Sequence, residues 1–403
     1  MKKDINYKSI IFALIPLVLM GPLAMDMYLP ALSSIKTSMN TTGDLVQWTL
    51  SIFVFGFGFC QLIVGAVVGY LGRNKTLFIA LLLYLTATLS CAMTDNIYVL
   101  ILFRFIQALG ACGCMVLSMA IVRELVNTEK DSTKAYTFLS GCTALAPILA
   151  PIFGALILEL LLSWRFIFYF LGMFSLLGLL LFGLKISKLE KALKSDHSIA
   201  PLKYSLVINN LDFWSYAVLG AAGMTCLFTF FSLSPFILVE RYNLIPKEFS
   251  IAFGLCAFIF LIGSILGPKI VEKLKLDSTL ALSFLTIATT GLLMAFMPLN
   301  YQTLRLFIIL MMIVNFWLGI SFGLCMAGAM KHFKYNADKA ASVYGFQQFI
   351  IAFSIGTLVV LSGFKTQAAL GITIFCVSFT ALTLNFLIKN IKSNRGLSYA
   401  VSN

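Results

Sequence analysis

Long apolar stretches alternate with short polar ones along the whole chain. The stretches run for roughly 18 to 27 residues, and a helix of about 20 apolar residues crosses the hydrocarbon core of a bilayer. No period-two alternation appears, which a membrane-spanning barrel would require. The pattern predicts an all-α membrane protein with twelve transmembrane helices, over residues 9–32, 45–70, 76–93, 97–122, 135–160, 164–184, 211–238, 249–270, 279–298, 305–330, 341–363 and 367–388.

The longest polar interruption, residues 185–210, places six predicted helices before it and six after it. This layout is typical of a duplicated transporter whose halves are related by an axis along the membrane normal. We therefore expect two pseudo-symmetric six-helix bundles, at residues 1–190 and 211–403, joined by a cytoplasmic linker at residues 191–210. The ends of the second and eighth helices support the duplication, because each has glycines four apart followed by basic residues, although this spacing also occurs in ordinary helix packing.

The composition agrees with a membrane protein, since 60% of the residues are hydrophobic and 11% are charged, where soluble domains carry about 25% charged residues. The net charge of +13 could suggest binding to nucleic acid. Its distribution indicates membrane topology instead: of 29 basic residues, 22 lie on one predicted side, six on the other, and Arg104 lies within a helix. By the positive-inside rule, both termini are expected in the cytoplasm, and no nucleic-acid partner is expected.

No pattern in the sequence indicates an enzyme. The nine cysteines all fall within predicted helices, and Cys112 and Cys114 are two apart, so they point to nearly opposite faces and cannot chelate a metal together. Neither a phosphate-binding loop nor a nucleophile with its base is present. A metal site, a cofactor, catalytic residues and ATP-driven transport are therefore not expected.

The first apolar run contains a single carboxylate, Asp26, between Pro22 and Pro30. A charged side chain in hydrocarbon costs at least ~2.5–3.5 kcal/mol, so such residues usually face a polar interior and have a function there. The alternative is an Asp26 that ends the helix near the membrane surface. The apolar pattern continues beyond it at Leu29 and Leu32, which favours the buried, functional interpretation.

Arg104 is the second charge within a predicted helix. Counting residues at ~1.5 Å each, Arg104 and Asp26 lie at matching depths, ~10 Å from the outer surface. We expect them to interact, either directly or through water. An ion pair that only permits both residues to be inserted is the alternative. In the functional interpretation Asp26 carries a proton, and Arg104 regulates it, because a nearby cation favours the ionised carboxylate.

Several segments resemble one family of transporters, the major facilitator superfamily, in particular the Bcr/CflA group of its twelve-helix drug:proton antiporter branch. The matching segments are Met25–Ala31, Val46–Ser51 with Gln61 and Gly65, Leu102–Gly110, Ala146–Gly154 and Trp164–Phe168. The resemblance implies a proton-coupled exporter of amphipathic drugs such as phenicols, or of metabolites, working by alternating access. It also implies a monomer in the bacterial inner membrane, surrounded by lipid and driven by the proton gradient. A proton-coupled solute importer, or a non-transporting receptor, is the alternative.

Two motifs of the family concern gating. The antiporter motif of the fifth helix is matched by Gly141, Pro147, Pro151 and Gly154, and a kinked packing helix is its alternative explanation. The loop after the second helix keeps Gly65, Gly72 and Arg73. However, Gly69 and Tyr70 stand where the family has an aspartate and an arginine, which puts the stability of the inner gate in doubt.

The resemblance also implies a cavity formed by helices one, four, five, seven, ten and eleven. Aromatic and polar side chains in these helices are candidates for contact with substrate, although most phenylalanines must face lipid. Gln107, one turn from Arg104, is expected to bond to it, with plain helix packing as the alternative. If Asp26 and Arg104 cancel, the cavity favours neutral or zwitterionic compounds. The predicted cavity residues are Tyr28, Phe53, Gln107, Phe231, Phe236, Asn315, Tyr344 and Gln347.

Overall fold

A computed structural model of the chain describes residues 7–125, 129–192, 204–297, 303–333, 337–363 and 365–401, and every regular element within these ranges is a helix. Twelve helical segments in this part of the chain are long and apolar enough to cross a membrane. They confirm the predicted number and order of spans. In the first, helical structure continues beyond the predicted end at residue 32 to Ser38.

The chain forms two compact units, each described separately below. The first contains Met1–Ala200 and Pro246–Gly254, and the second contains Pro201–Ile245 and Leu255–Asn403. The predicted linker, residues 191–210, falls largely on residues 193–203, which lie outside the described residues.

The first unit is built around its first and fourth spans. Its elements are α1 (Tyr7–Asp26), a 3-10 turn (Leu29–Ala31), α2 (Leu32–Ser38), α3 (Gly43–Leu71), α4 (Arg73–Met93), α5 (Ile97–Leu125), α6 (Glu129–Leu161) and α7 (Arg165–Ala192). α1 packs against α5, α6 and α7, and α5 packs against α3 and α4. Gly110 permits the contact between α5 and α4, since a Cβ there would lie 2.6 Å from the backbone nitrogen of Tyr84.

The second unit is built around α9. Its elements are α8 (Ser205–Ile208), α9 (Leu211–Pro235), a π-helical turn (Phe236–Arg241), α10 (Pro246–Leu274, of which the first residues belong to the other unit), α11 (Leu276–Phe296), α12 (Leu304–Met330), α13 (Ala337–Leu361) and α14 (Gln367–Val401). α9 packs against α12, α13 and α14, and α11 packs against α12 and α14. Gly291 and Gly371 allow α11 and α14 to approach closely.

The same turn occurs in both units, between α3 and α4 and between α10 and α11. Gly72 and Lys275 each adopt a left-handed conformation, with φ of 78° and 62°. Four residues later, the hydroxyls of Thr76 and Thr279 donate to the carbonyls of these two residues at 2.7 and 2.8 Å. This repeated geometry is a local counterpart of the duplication that the sequence predicts. Lys275 shows that the conformation does not require glycine, although glycine adopts it without steric cost.

A polar clamp at one end of the first unit holds α2, α4 and α7 together. Trp164 Nε1 donates to Ser38 Oγ at 2.7 Å, which fixes the end of α2. Arg165 donates to the carbonyl of Thr94 at 3.0 Å and also pairs with Asp95, beyond the end of α4. A cation at the C-terminal end of a helix is favoured by the exposed carbonyls there. The clamp holds the helical segment that follows Asp26.

Candidate functional site

The first span is interrupted at Asp26. α1 ends at this residue, a 3-10 turn occupies Leu29–Ala31, and α2 then continues the helical path. Pro30 has no backbone N–H, so it cannot donate the helical bond that would reach back to Asp26. An interruption of this kind within a membrane is tolerated when neighbouring groups satisfy the freed carbonyls. The α-helix therefore ends at Asp26, as the surface interpretation supposed, but the chain stays buried and helical beyond it.

Gly154 of α6 lies directly against this interruption. A Cβ on Gly154 would overlap the carbonyl oxygen of Met27 and would lie 3.0 Å from its carbonyl carbon. The three nearest atoms that it would meet all belong to the backbone of Met27, so no side-chain rotation could relieve the overlap. Glycine at this position is therefore needed for the observed contact between α6 and the residue that follows Asp26.

Arg104 of α5 is completely buried and binds two backbone carbonyls on neighbouring helices. Its Nη1 donates to the carbonyl of Ala24 at 3.0 Å, and its Nε lies 3.4 Å from the carbonyl of Thr49. Ala24 stands two residues before the end of α1, where carbonyls lose their helical partners. The guanidinium therefore caps the interrupted helix and links α1, α3 and α5 through one side chain.

Aromatic rings enclose the same guanidinium. The Cζ atom of Arg104 lies 4.5 Å from the ring centroid of Tyr28, 4.4 Å from that of Phe53 and 5.9 Å from that of Phe168. A cation over an aromatic face is stabilised by about 2 kcal/mol or more when it is removed from water. Tyr28 is itself held by a hydrogen bond of 2.7 Å between its hydroxyl and Thr49. The rings compensate part of the cost of burying the charge.

A short series of polar contacts continues from Arg104 toward α4. Nη1 of Arg104 donates to Gln107 Oε1 at 2.7 Å, which confirms the predicted bond between these residues. The amide of Gln107 then donates to the hydroxyl of Thr88 at 2.8 Å. Nearby, the hydroxyl of Tyr84 donates to the carbonyl of Met20 on α1 at 3.2 Å. Three of the predicted cavity residues, Tyr28, Phe53 and Gln107, therefore all contact Arg104.

Asp26 and Arg104 form no direct pair in the structure, and an interaction between them through water stays a prediction. Asp26 is only 2% exposed, yet its carboxylate accepts no hydrogen bond and forms no ion pair with any residue that the structure describes. The donors of Arg104 point instead to the carbonyls of Ala24 and Thr49 and to Gln107. Equal depth in the membrane does not determine the direction in which two side chains point around their helices. In addition, α1 ends at Asp26, so the backbone departs from α-helical geometry at this residue.

One nitrogen of the Arg104 guanidinium makes no hydrogen bond. Its Nη2 is buried and has no hydrogen-bond partner among the described residues. A buried guanidinium nitrogen without an acceptor is unfavourable, so an acceptor that reached it would be bound. Of the five N–H donors of the guanidinium, the two on Nη2 are therefore unused within the described residues.

Five members of the Arg104 site were not predicted from the sequence. Thr49, Tyr84 and Thr88 are buried polar side chains within apolar helices, a signal that could have found them. Phe168 lies in the quoted Trp164–Phe168 segment, but nothing in that segment indicates contact with Arg104. The carbonyl of Ala24 carries no side-chain signal and follows only from the position of the helix break.

The other predicted cavity residues lie in the second unit. Phe236 packs under Lys365, whose Nζ is 4.3 Å from the ring centroid, and Asn315 donates to the carbonyl of Met311 at 2.8 Å. Phe231 is partly exposed, whereas Tyr344 and Gln347 are buried together on α13. Their contact with a substrate stays a prediction.

The predicted gating glycines differ in how closely neighbouring atoms pack against them. Gly72 adopts the left-handed conformation of the turn before Arg73, which begins α4. A Cβ added at Gly65 or Gly141 would meet no atom within 4 Å, in contrast to Gly154. Pro147 and Pro151 lie within α6, which runs from Glu129 to Leu161 as one helix. Their roles in gating stay predictions.

Comparison with known proteins gives a consistent family assignment. A chloramphenicol resistance protein of Pseudomonas aeruginosa is 28% identical over 96% of this chain and 92% of its own length. The uncharacterized MFS-type transporter YdgK of Bacillus subtilis is 29% identical over 87% and 88%, and the multidrug resistance protein MdtL of Salmonella schwarzengrund is 28% identical over 82% and 83%. The family model of the Major Facilitator Superfamily matches residues 14–361. The chain therefore belongs to the major facilitator superfamily and is a multi-pass membrane transporter of small molecules, not an enzyme.

Proposed function

We propose that this transporter exports amphipathic small molecules, among them phenicol antibiotics, in exchange for protons. Two of the relatives described above are named for resistance to chloramphenicol or to several drugs, and the first of them matches nearly the whole chain. The motifs that resemble the Bcr/CflA group support the same direction of transport. The proton gradient would supply the energy, without a cofactor.

The observation that carries this proposal is the carboxylate of Asp26, which is buried beside the interruption of α1 and has no hydrogen-bond partner among the described residues. Burying an ionised carboxylate without a partner costs a large free energy, whereas the neutral acid is tolerated far better. A proton taken up by Asp26 would make this buried arrangement favourable. Release of that proton would require a new partner for the carboxylate.

Arg104 offers such a partner through its unused Nη2 donor. We infer that the deprotonated carboxylate approaches this donor, or that a polar group of the substrate does, and that Arg104 thereby regulates the proton on Asp26. A proton that moves inward gains ~2.3 kcal/mol per 100 mV of membrane potential, which can drive export against a concentration gradient.

The setting of the transporter is part of the same proposal. The excess of basic residues on one predicted side supports cytoplasmic termini. The protein would work as a monomer in the lipid of a bacterial inner membrane, as the resemblance to the Bcr/CflA group implies. Substrates would be neutral or zwitterionic.

The proposal is tested first by a resistance profile. Expression in a host without its own drug exporters should raise tolerance to chloramphenicol, and the effect should disappear when the proton gradient is collapsed. Drug accumulation that increases on expression would instead favour a proton-coupled importer. No change in the uptake or tolerance of any compound would favour a receptor.

The substitution Asp26→Asn should abolish substrate-induced proton release in proteoliposomes and leave the protein folded. Asparagine fills nearly the same volume and, like the protonated acid, carries no charge, but it cannot release a proton. Glu159→Gln is the matched control, because it removes an exposed carboxylate from α6 of the same unit and should change nothing. Undiminished proton release by Asp26→Asn would contradict the assignment.

A further inference from the structure

Three polar side chains within five residues of α13 face α9 inside the second unit. Tyr344, Gln347 and Gln348 are 3%, 7% and 5% exposed, and we refer to them as the α13 cluster. Gln348 lies one helical turn after Tyr344, so the two side chains share a face of α13.

The α13 cluster converges on one short segment of α9. The amide of Gln347 donates to the carbonyl of Ala217 at 2.7 Å. Tyr344 and Gln348 both approach Gly220, where an added Cβ would overlap the phenol hydroxyl and would lie 2.9 Å from Gln348 Nε2. Gly220 therefore provides the space that the two polar groups occupy, and the three side chains lie within one small region of the second unit.

Each member of the α13 cluster has a polar atom without a partner among the described residues. These atoms are the hydroxyl of Tyr344, Oε1 of Gln347 and Nε2 of Gln348. Most buried side-chain polar atoms in proteins are hydrogen-bonded, so three unpaired ones on side chains that contact one short segment of α9 are unusual. The amide Nε2 is a donor, Oε1 is an acceptor, and the hydroxyl can act as either. Together they match a ligand that both donates and accepts.

The chemistry of the α13 cluster also restricts the charge of that ligand. No acidic or basic side chain in the described part of the chain bonds to Tyr344, Gln347 or Gln348. A charged group placed there would lose its hydration without gaining a counter-charge, which is strongly unfavourable. An uncharged amide or hydroxyl group loses less hydration, and its hydrogen bonds can be replaced in full.

We propose that the α13 cluster is a hydrogen-bonding subsite for an uncharged amide or hydroxyl group of the transported compound. The N–H or O–H of the compound donates to Gln347 Oε1, and its oxygen accepts from Gln348 Nε2 and the hydroxyl of Tyr344. This inference rests on the proposed function for the existence of a substrate, and it adds Gln348 and the class of group recognised. It predicts that neutral amides and alcohols are preferred over cations that lack hydrogen-bonding groups.

The experiment measures chloramphenicol binding to the purified full-length protein, since chloramphenicol is an uncharged molecule with an amide and hydroxyl groups. Tyr344→Phe and Gln348→Met should each weaken binding about two- to ten-fold, the effect of one lost hydrogen bond. Ser354→Ala on the same helix is the matched control, because its hydroxyl bonds only to the carbonyl of Ile350, and it should bind normally. Tetraphenylphosphonium is a cation without hydrogen-bonding groups. If the wild-type protein transports it, each variant should transport it at the same rate as the wild-type protein.

A thermal unfolding measurement on the same proteins distinguishes folding defects from lost contacts. Removing an unpaired buried hydroxyl is neutral or stabilising, so Tyr344→Phe should not lower the melting temperature. Unchanged affinity for chloramphenicol in both variants would overturn the subsite and would indicate that the polar atoms bind only water. The same holds if the wild-type protein does not bind chloramphenicol. Binding that depends on the α13 cluster without any export would uphold the subsite and contradict the proposed function.

Discussion

Replacing Gly154 with alanine should prevent normal assembly of the first unit and abolish transport. The new Cβ would overlap backbone atoms of Met27, and neither α6 nor the interrupted first span can relieve this by a rotamer change. Overpacking of this kind costs about 1–3 kcal/mol or more. Any separation of α6 from Met27 also displaces Asp26, the adjacent residue, so activity should be lost even where the protein remains folded.

Gly141→Ala provides the matched control on the same helix. A Cβ at Gly141 would meet no atom within 4 Å, and alanine favours a helix interior over glycine by about 0.5–1 kcal/mol. We therefore expect Gly154→Ala to lower the melting temperature in detergent and Gly141→Ala to leave it unchanged or raise it. Equal effects of the two substitutions would show that the antiporter motif acts through a general property of α6, such as bending, and not through this contact.

The number and order of the membrane-spanning helices could be predicted from the sequence, because the thickness of the bilayer sets the minimum length of an apolar run that spans it. Twelve spans were predicted and twelve are present in the described residues. The second signal that succeeded was local: Gln107 follows Arg104 by three residues, a spacing that places two side chains together on a helix. Their hydrogen bond did not depend on how the helices pack.

The partners of Arg104 on other helices could not be predicted in the same way. Its main acceptors outside α5 are backbone carbonyls, and every residue has one, so the sequence does not mark them. Asp26 carried a clear signal, and the sequence therefore suggested it as the partner. The structure places Ala24 there because the break in α1 frees a carbonyl at that point.

The different structural environments of Gly154 and Gly141 were hidden for a related reason. Both glycines belong to the same family motif, and their local sequences do not show which one meets another backbone. Only the crossing of α6 and the interrupted first span separates them. Contacts formed between helices therefore set the limit of the sequence analysis at this site.

Arg104→Ala should destabilise the protein far more than Asp26→Asn. Loss of the guanidinium leaves the carbonyls of Ala24 and Thr49 without this donor in a membrane interior, and it removes the bond to Gln107. Each buried acceptor left unsatisfied costs about 1–3 kcal/mol, and three acceptors lose this donor, so we expect a low yield of folded protein and a marked fall in melting temperature. Arg104→Lys should be intermediate, because an ammonium keeps the charge between Tyr28 and Phe53 but lacks the planar fork that reaches several acceptors.

The double substitution Asp26→Asn with Arg104→Ala determines which role of Arg104 governs stability. If Arg104 stabilised the fold mainly by neutralising Asp26, removing the carboxylate would rescue much of the loss. Because the donors of Arg104 go to carbonyls and to Gln107, we expect no rescue, with the double variant as unstable as Arg104→Ala. Melting temperatures and the monodisperse fraction in detergent measure this directly. Recovery of more than half of the lost stability would show that the two charges interact closely and that the capping of α1 by Arg104 is secondary.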